Sequence, residues 1–207
     1  MSLEVKKYSG KSLSRFRTLN SAEFYADITS ADDAIQAFEF AKNKGLKPFV
    51  LGAGSNVFFK NSKIKSFVMK NALEKKIEYL GNDKFEVSSS VMMLDLLKKL
   101  YKESRDASYY LASAPCEVGG AIAMNAGTGP KEAKAIFDFI ESVKFVRNGE
   151  VIELPADKIE HSHRHTELSQ NAFILSAIFK FQHTEFDCDP VKARLDWAVK
   201  KSRFKRS

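Results

Sequence analysis

Apolar and polar positions follow different periods along this chain, and the changes of period mark its elements. Phe24 to Ile28 reads as a strand. Ser30 then stands where a helix N-cap belongs, with Asp33 three residues on and Asp32 inside the first turn. A hydroxyl and two carboxylates there suit the unpaired N–H groups and the positive end of the helix dipole. The helix is expected to reach about Lys44 and to stop at Gly45, which suits the C′ position. Pro48 to Leu51 and Phe67 to Met69 are short apolar strands, giving a βαβ-like start. Val57-Phe58-Phe59 favours strand rather than helix. Met1 to Asn20 shows no clear period and is expected to drape over the domain.

Beyond residue 71 the pattern changes. Lys76 to Leu80 and Phe85 to Ser88, joined by Gly81-Asn82-Asp83-Lys84, read as a hairpin. Leu94, Leu97, Leu100 and Tyr101 mark one stripe of a helix. Ile140 to Val146 and Val151 to Leu154 flank Asn148-Gly149, a strong hairpin turn. Phe173 to Phe181 is a long apolar strand. Asp189-Pro190 starts a last helix, Val191 to about Arg206, with Trp197 as a packing anchor. The fold class is α+β, with two subdomains and a crevice between them.

Composition narrows the function classes. Of the 207 residues, 44% are hydrophobic and 17 are Phe, enough for a bulky core. No apolar run approaches a membrane span. Two cysteines make no disulfide framework, which favours a reducing, cytoplasmic setting. The net charge of +7 raises nucleic acid as a partner. The lysines are scattered, however, and basic residues do not interleave with stacking aromatics; the tail Lys200 to Arg206 reads as a solvated helix face. Neither nucleic acid nor membrane is expected as a partner.

The candidate chemistry lies in two glycine-rich segments. One holds Gly52-Ala53-Gly54-Ser55-Asn56, after the Pro48 to Leu51 strand. The other is Pro115-Cys116-Glu117-Val118-Gly119-Gly120-Ala121-Ile122-Ala123-Met124-Asn125-Ala126-Gly127. Glycine lets backbone approach a ligand, and consecutive free N–H groups cradle an anion. Gly52-x-Gly54 is not the dinucleotide fingerprint, because Val57 replaces the third glycine and strand-like residues follow. No Gly-Lys-Ser/Thr ending makes a P-loop. Alone, the first segment is explained by a tight turn; two segments with so little side chain point to a nucleotide cofactor. On that reading Gly54→Asp and Gly120→Asp are each expected to abolish cofactor binding while leaving the fold largely intact.

Gly52 to Asn56, the Pro115 to Gly127 segment and then His163-Arg164-His165-Thr166 stand in the order and spacing of one known pattern. The chain resembles the UDP-N-acetylenolpyruvoylglucosamine reductase (UDP-N-acetylmuramate dehydrogenase, MurB) family over roughly Phe24 to Phe181. The resemblance implies the two-subdomain FAD-binding fold shared with the vanillyl-alcohol-oxidase-like flavoproteins. Residues 1–71 would form a small α/β subdomain and 72–184 a larger α+β one. Residues 185–207 would be a helix where a substrate-binding domain begins. It implies FAD held by Gly52, Ala53, Gly54, Ser55, Asn56, Val118, Gly119, Gly120, Asn125, Ala126 and Gly127. NADPH would reduce the flavin, which reduces UDP-N-acetylglucosamine enolpyruvate for peptidoglycan synthesis. Arg164 stands at the family's position for stabilising the enolate. The family's proton-donating serine and partnering glutamate belong to the third domain and have no counterpart here, so the chain is expected not to complete the reaction alone. The alternative is a solitary FAD- or nucleotide-binding module without reductase activity.

The chain departs from the family at several positions. Cys116 replaces glycine, and Glu117 replaces a small or hydroxyl residue. A carboxylate there would repel a pyrophosphate unless turned outward. Thr128 to Glu132 replaces the usual segment after Asn-Ala-Gly, His163 stands for tyrosine, and Thr166 for serine. His161, His163 and His165 alternate and would share one strand face, with His183 as a fourth metal ligand. No cysteine or carboxylate completes a known metal spacing, so no metal site is assigned. Cys116 reads as a small filler, against a reactive or flavin-linked thiol. Arg164 by its residue type alone could equally be a surface arginine.

Overall fold

The computed structural model describes residues 3–128 and 134–204. Its first sheet begins earlier than the hydrophobic pattern suggests. β1 (Lys6–Gly10) pairs antiparallel with β2 (Asn20–Ile28), so the N-terminal stretch is part of the sheet and does not simply drape over it. β1 is an edge strand whose Lys6, Lys7 and Ser9 face solvent, so it carries no apolar alternation to read.

α1 (Ala31–Asn43) is capped as its sequence predicts. The Asp33 N–H donates to Ser30 Oγ at 3.1 Å, and Asp33 Oδ2 accepts from the Thr29 N–H at 2.9 Å. The chain then leaves the helix through Gly45 at φ +64°. β3 (Pro48–Leu51), β4 (Lys63–Ile64) and β5 (Phe67–Asn71) follow. The sheet order is β1-β2-β5-β3, with β4 on β2. β2 and β3 both run parallel to the buried β5, and α1 makes the crossover. Val57 to Phe59 is irregular rather than a strand. There Ser14 Oγ donates to Val57 O at 2.5 Å, and Phe58 meets Phe16 edge-on at 5.6 Å.

The second sheet is wholly antiparallel. β6 (Ile77–Gly81) and β7 (Lys84–Ser88) turn through Asn82 and Asp83, both at positive φ. α2 (Met93–Lys102) buries Leu96, Leu97 and Leu100. α3 (Val118–Ala123) occupies the second glycine segment. β8 (Ile140–Arg147) and β9 (Glu150–Pro155) turn through Asn148 (φ 53°) and Gly149 (φ 83°), as that dipeptide predicts. β10 (His161–Ser162) and β11 (His165–Thr166) form a two-stranded hairpin. β12 (Phe173–Lys180) completes a sheet of order β6-β7-β12-β8-β9.

α4 (Pro190–Phe204) is capped by Asp189, whose Oδ1 accepts from the Lys192 N–H at 2.9 Å. Its expected end at Arg206 lies outside the described residues. Trp197 is half-exposed and not a packing anchor. The Arg194 guanidinium sits 4.1 Å from its ring centroid and the Lys201 ammonium 4.6 Å, two cations one turn to either side on the same helix.

The main core fills the space between the second sheet, α2 and α3. A second cluster joins the two sheets. Ala34, Ala37 and Ala41 on α1 are buried with Phe67 and Met69 of β5 and with Val146, Phe173 and Leu175 of the second sheet. Alanines at that spacing form one smooth helical face, so α1 fits closely between both sheets. Among the described residues no helix is long and apolar enough to cross a membrane.

Candidate functional site

The first glycine turn leaves the carboxyl end of β3, beside the carboxyl end of β5. In parallel sheets that edge is where ligands bind. Gly54 takes φ +65°, and a Cβ on it would lie 2.4 Å from Leu13 O. Gly54 is therefore required by close approach of its own chain, reinforced by the Arg15 N–H donating to Gly54 O at 3.0 Å. The N–H groups of Ala53, Gly54, Ser55 and Asn56 have no acceptor among the described residues. Successive amides left this way are the kind of group that can cradle an anion.

The second segment differs from the open cradle that its glycines suggest. It folds into α3, and its first two amides are already used. Val118 N–H donates to Val91 O and Gly119 N–H to Ser89 O, each at 2.8 Å. Val118 is core, and a Cβ on Gly119 would meet Ser89 Cβ at 2.8 Å. Gly119 thus lets α3 press onto the turn after β7. Gly120 is exposed, and a Cβ there would meet nothing within 4 Å. Ala126 is buried, and its carbonyl accepts from the Ile136 N–H at 2.9 Å; Gly127 packs on Ala135. Between the two segments lies a cavity of about 100 Å³, lined by Gly52, Asn71, Ser89, Gly119, Gly120 and Phe173 among others.

Glu117 turns inward and lies behind the wall of this cavity, against Gly52 and Asn71 of its lining. It is only 8% exposed. Its Oε2 accepts from Asn71 Nδ2 at 3.2 Å, and its Oε1 lies 3.4 Å from Lys70 Nζ. Lys70 Nζ also donates to Gly52 O (3.0 Å) and Asn71 O (3.2 Å). Burial raises the Glu117 pKa above the ordinary carboxylate value, and Lys70 opposes that rise. The outward orientation expected for a carboxylate near pyrophosphate is not adopted; charge pairing takes its place. Lys70 and Asn71 were not singled out from the sequence. The available signal was a lysine and an asparagine ending the apolar run Phe67-Val68-Met69.

The His161–Thr166 hairpin is fastened to the far end of α3. Asn125 Nδ2 donates to Ser162 O and Thr166 Oγ1 to Ala123 O, each at 3.0 Å. Arg164 stands in the turn at φ +60° with an exposed side chain. That turn breaks the histidine alternation. His161 stacks on Phe137 at 4.3 Å and places Nδ1 2.8 Å from Ile159 O, whereas His183 bonds Ser104 O. Among the described residues no group of three or more His, Cys, Asp or Glu could hold a metal ion. Burial pushes the Cys116 thiol up to about 11, as suits a filler rather than a thiolate.

Comparison with known proteins decides the family. The FAD binding domain family matches residues 22–155, well over half of the chain. The chain belongs to the FAD binding domain family. UDP-N-acetylenolpyruvoylglucosamine reductase of Chlamydia felis is 29% identical over 168 residues, which is 81% of this chain and 56% of the relative. The same-named protein of Aquifex aeolicus is 27% identical over 185 residues, 88% of this chain and 61% of the relative. The chain thus spans 56% and 61% of the lengths of these two curated relatives. The crystal structure of UDP-N-acetylenolpyruvylglucosamine reductase (MurB) from Thermus caldophilus superposes with a TM-score of 0.74 at 18% identity, covering 99% of this chain and 70% of that one. Alkyldihydroxyacetonephosphate synthase superposes at 0.60 and 17% identity, over 79% of this chain and 32% of that one. The resemblance read from the motifs is borne out, as is the α+β FAD-binding fold of the vanillyl-alcohol-oxidase type.

FAD is the cofactor of this domain, and the residues present fit it. The amides of Ala53 to Asn56 offer donors to a diphosphate. Asn125 Oδ1 is buried and has no hydrogen-bond partner among the described residues, an acceptor left unsatisfied there. The crevice cavity is large enough for one segment of a dinucleotide rather than the whole.

Proposed function

We propose that this chain is the FAD-holding part of a reductase that uses NADPH to convert UDP-N-acetylglucosamine enolpyruvate to UDP-N-acetylmuramate, a peptidoglycan precursor. The carrying observation is the fastening of the Arg164 hairpin to the end of the glycine-bearing helix through Asn125 and Thr166. The names of the curated relatives support the same reading. Bound FAD supplies hydride transfer, from NADPH to the enolpyruvyl alkene. In this reading the amides of Ala53, Gly54, Ser55 and Asn56 hold the diphosphate. Gly120 leaves the ligand room, while Val118, Gly119, Ala126 and Gly127 fix the backbone around it. Asn125 accepts a ligand hydrogen through Oδ1. The Arg164 guanidinium forms no hydrogen bond among the described residues and is free to meet negative charge developing beside the substrate carboxylate.

A subdomain division at residues 71/72 belongs to this proposal, supported by the two separate sheets. So does a cytoplasmic location, where NADPH and UDP-sugars are found and where the free Cys116 and Cys188 stay reduced. The proton donor and its carboxylate partner are assigned to the substrate domain of the resemblance, so the 207-residue chain is expected to bind FAD without completing turnover. The test is stopped-flow reduction of the bound flavin by NADPH, followed by NADPH oxidation that depends on the enolpyruvyl substrate. A bound flavin that NADPH never reduces favours the alternative, a solitary FAD module. Robust turnover by this chain alone overturns the assignment of the proton donor to the substrate domain.

A further inference from the structure

We propose that Lys70 is a positioning residue for the FAD diphosphate, acting through Glu117: by neutralising that carboxylate behind the crevice wall, it sets how tightly this chain holds its cofactor. The inference rests on the FAD assignment and concerns Lys70, outside both glycine segments, and Glu117, a departure from the family pattern within the second.

Glu117 has nowhere else to go. Gly52 lies against it so closely that a Cβ on Gly52 would be 2.9 Å from Oε2. Asn71 Nδ2 holds that same oxygen. Gly52 immediately precedes the four unpaired amides, so the carboxylate stands next to the place where a diphosphate binds. Among the described residues no other cation forms an ion pair with Glu117. Lys75 acts on it only through longer-range attraction. Lys70 also donates to Gly52 O and Asn71 O, so one ammonium bridges the ends of β3 and β5 and the residue before α3. Without it, an uncompensated carboxylate would be buried against Gly52, close enough to act on a negative diphosphate through poorly solvated protein. With it, the carboxylate is paired and the first glycine turn is held at the Gly52 carbonyl.

The test is FAD titration of the 207-residue chain, read by flavin fluorescence, with thermal melts as a check on folding. Lys70→Met is expected to weaken FAD binding about thirtyfold through the uncompensated charge. Lys70→Arg keeps the charge and stays within about threefold. Lys70→Met/Glu117→Gln recovers to within about threefold of the wild type, because the repulsion is gone. Glu117→Gln alone binds at least as tightly as the wild type. If Lys70→Met folds poorly, Glu117→Gln still decides, since weaker binding by that variant overturns the proposal. So does a Lys70→Met variant that binds normally, or a double variant as weak as Lys70→Met. A wild-type chain that binds no flavin overturns the cofactor assignment itself, a result distinct from these.

Discussion

Asn125 links the second glycine segment to the Arg164 turn: its Nδ2 donates to Ser162 O across 3.0 Å, while its buried Oδ1 has no partner among the described residues. One amide side chain thereby holds the Arg164 turn with its nitrogen end. It does so from a left-handed conformation, φ 38°, that asparagine tolerates better than most residues.

That geometry separates two contributions. Asn125→Gly keeps the backbone conformation and loses the hydrogen bond, which is expected to cost about 1 kcal/mol. Asn125→Ala adds a left-handed penalty of roughly 1 kcal/mol more. Urea unfolding of both variants measures the difference. Equal stability of wild type and Asn125→Gly would show that the link to Ser162 contributes nothing.

Gly54 and Gly120 respond differently, although the sequence treats them alike. Gly54→Asp places a Cβ against Leu13 O at positive φ, so the fold itself is expected to lose about 2 kcal/mol or more, visible as a lower melting temperature. Gly120→Asp projects into open space and is expected to melt near the wild type while FAD affinity falls. Wild-type affinity in Gly120→Asp would remove Gly120 from the cofactor site.

Glu117 makes stability depend on pH. Burial raises its folded pKa, so the folded chain keeps that proton to higher pH than the unfolded chain. The stabilisation is complete below the ordinary carboxylate value and is lost as pH rises through the raised one. Glu167 behaves oppositely. The Arg147 hydrogen bond lowers its pKa, so its contribution is present at neutral pH and lost in acid. Urea midpoints measured from pH 4 to pH 8 are expected to show a decline in the wild type that Glu117→Gln lacks. Parallel curves would exclude Glu117 as its source.

Thiol alkylation distinguishes the cysteines. The Cys116 thiol, raised to about 11 by burial, is expected to react slowly with iodoacetamide at pH 8, and exposed Cys188 quickly. In denaturant both react at similar rates. Fast labelling of folded Cys116 would restore the reactive-thiol reading.

What the sequence determined by itself was local or motif-bound. Ser30 with Asp33, Gly45, and Asn148-Gly149 each act within a few residues, so the start and stop of α1 and the β8–β9 turn were readable from spacing alone. The glycine motifs carried the family in the same way. Only the tertiary structure decided the rest. β1 finds its place by backbone pairing to β2, which a polar edge strand does not announce. The second glycine segment becomes a helix whose amides are consumed by Val91 and Ser89, contacts made only once α3 lies on the β7 end. The inward turn of Glu117 depends on Lys70, 47 residues away, whose ammonium reaches it because the carboxyl end of β5 meets the start of α3. A charge beside an anion site is repulsive or neutral according to its partner, and partners this distant in sequence are chosen by packing.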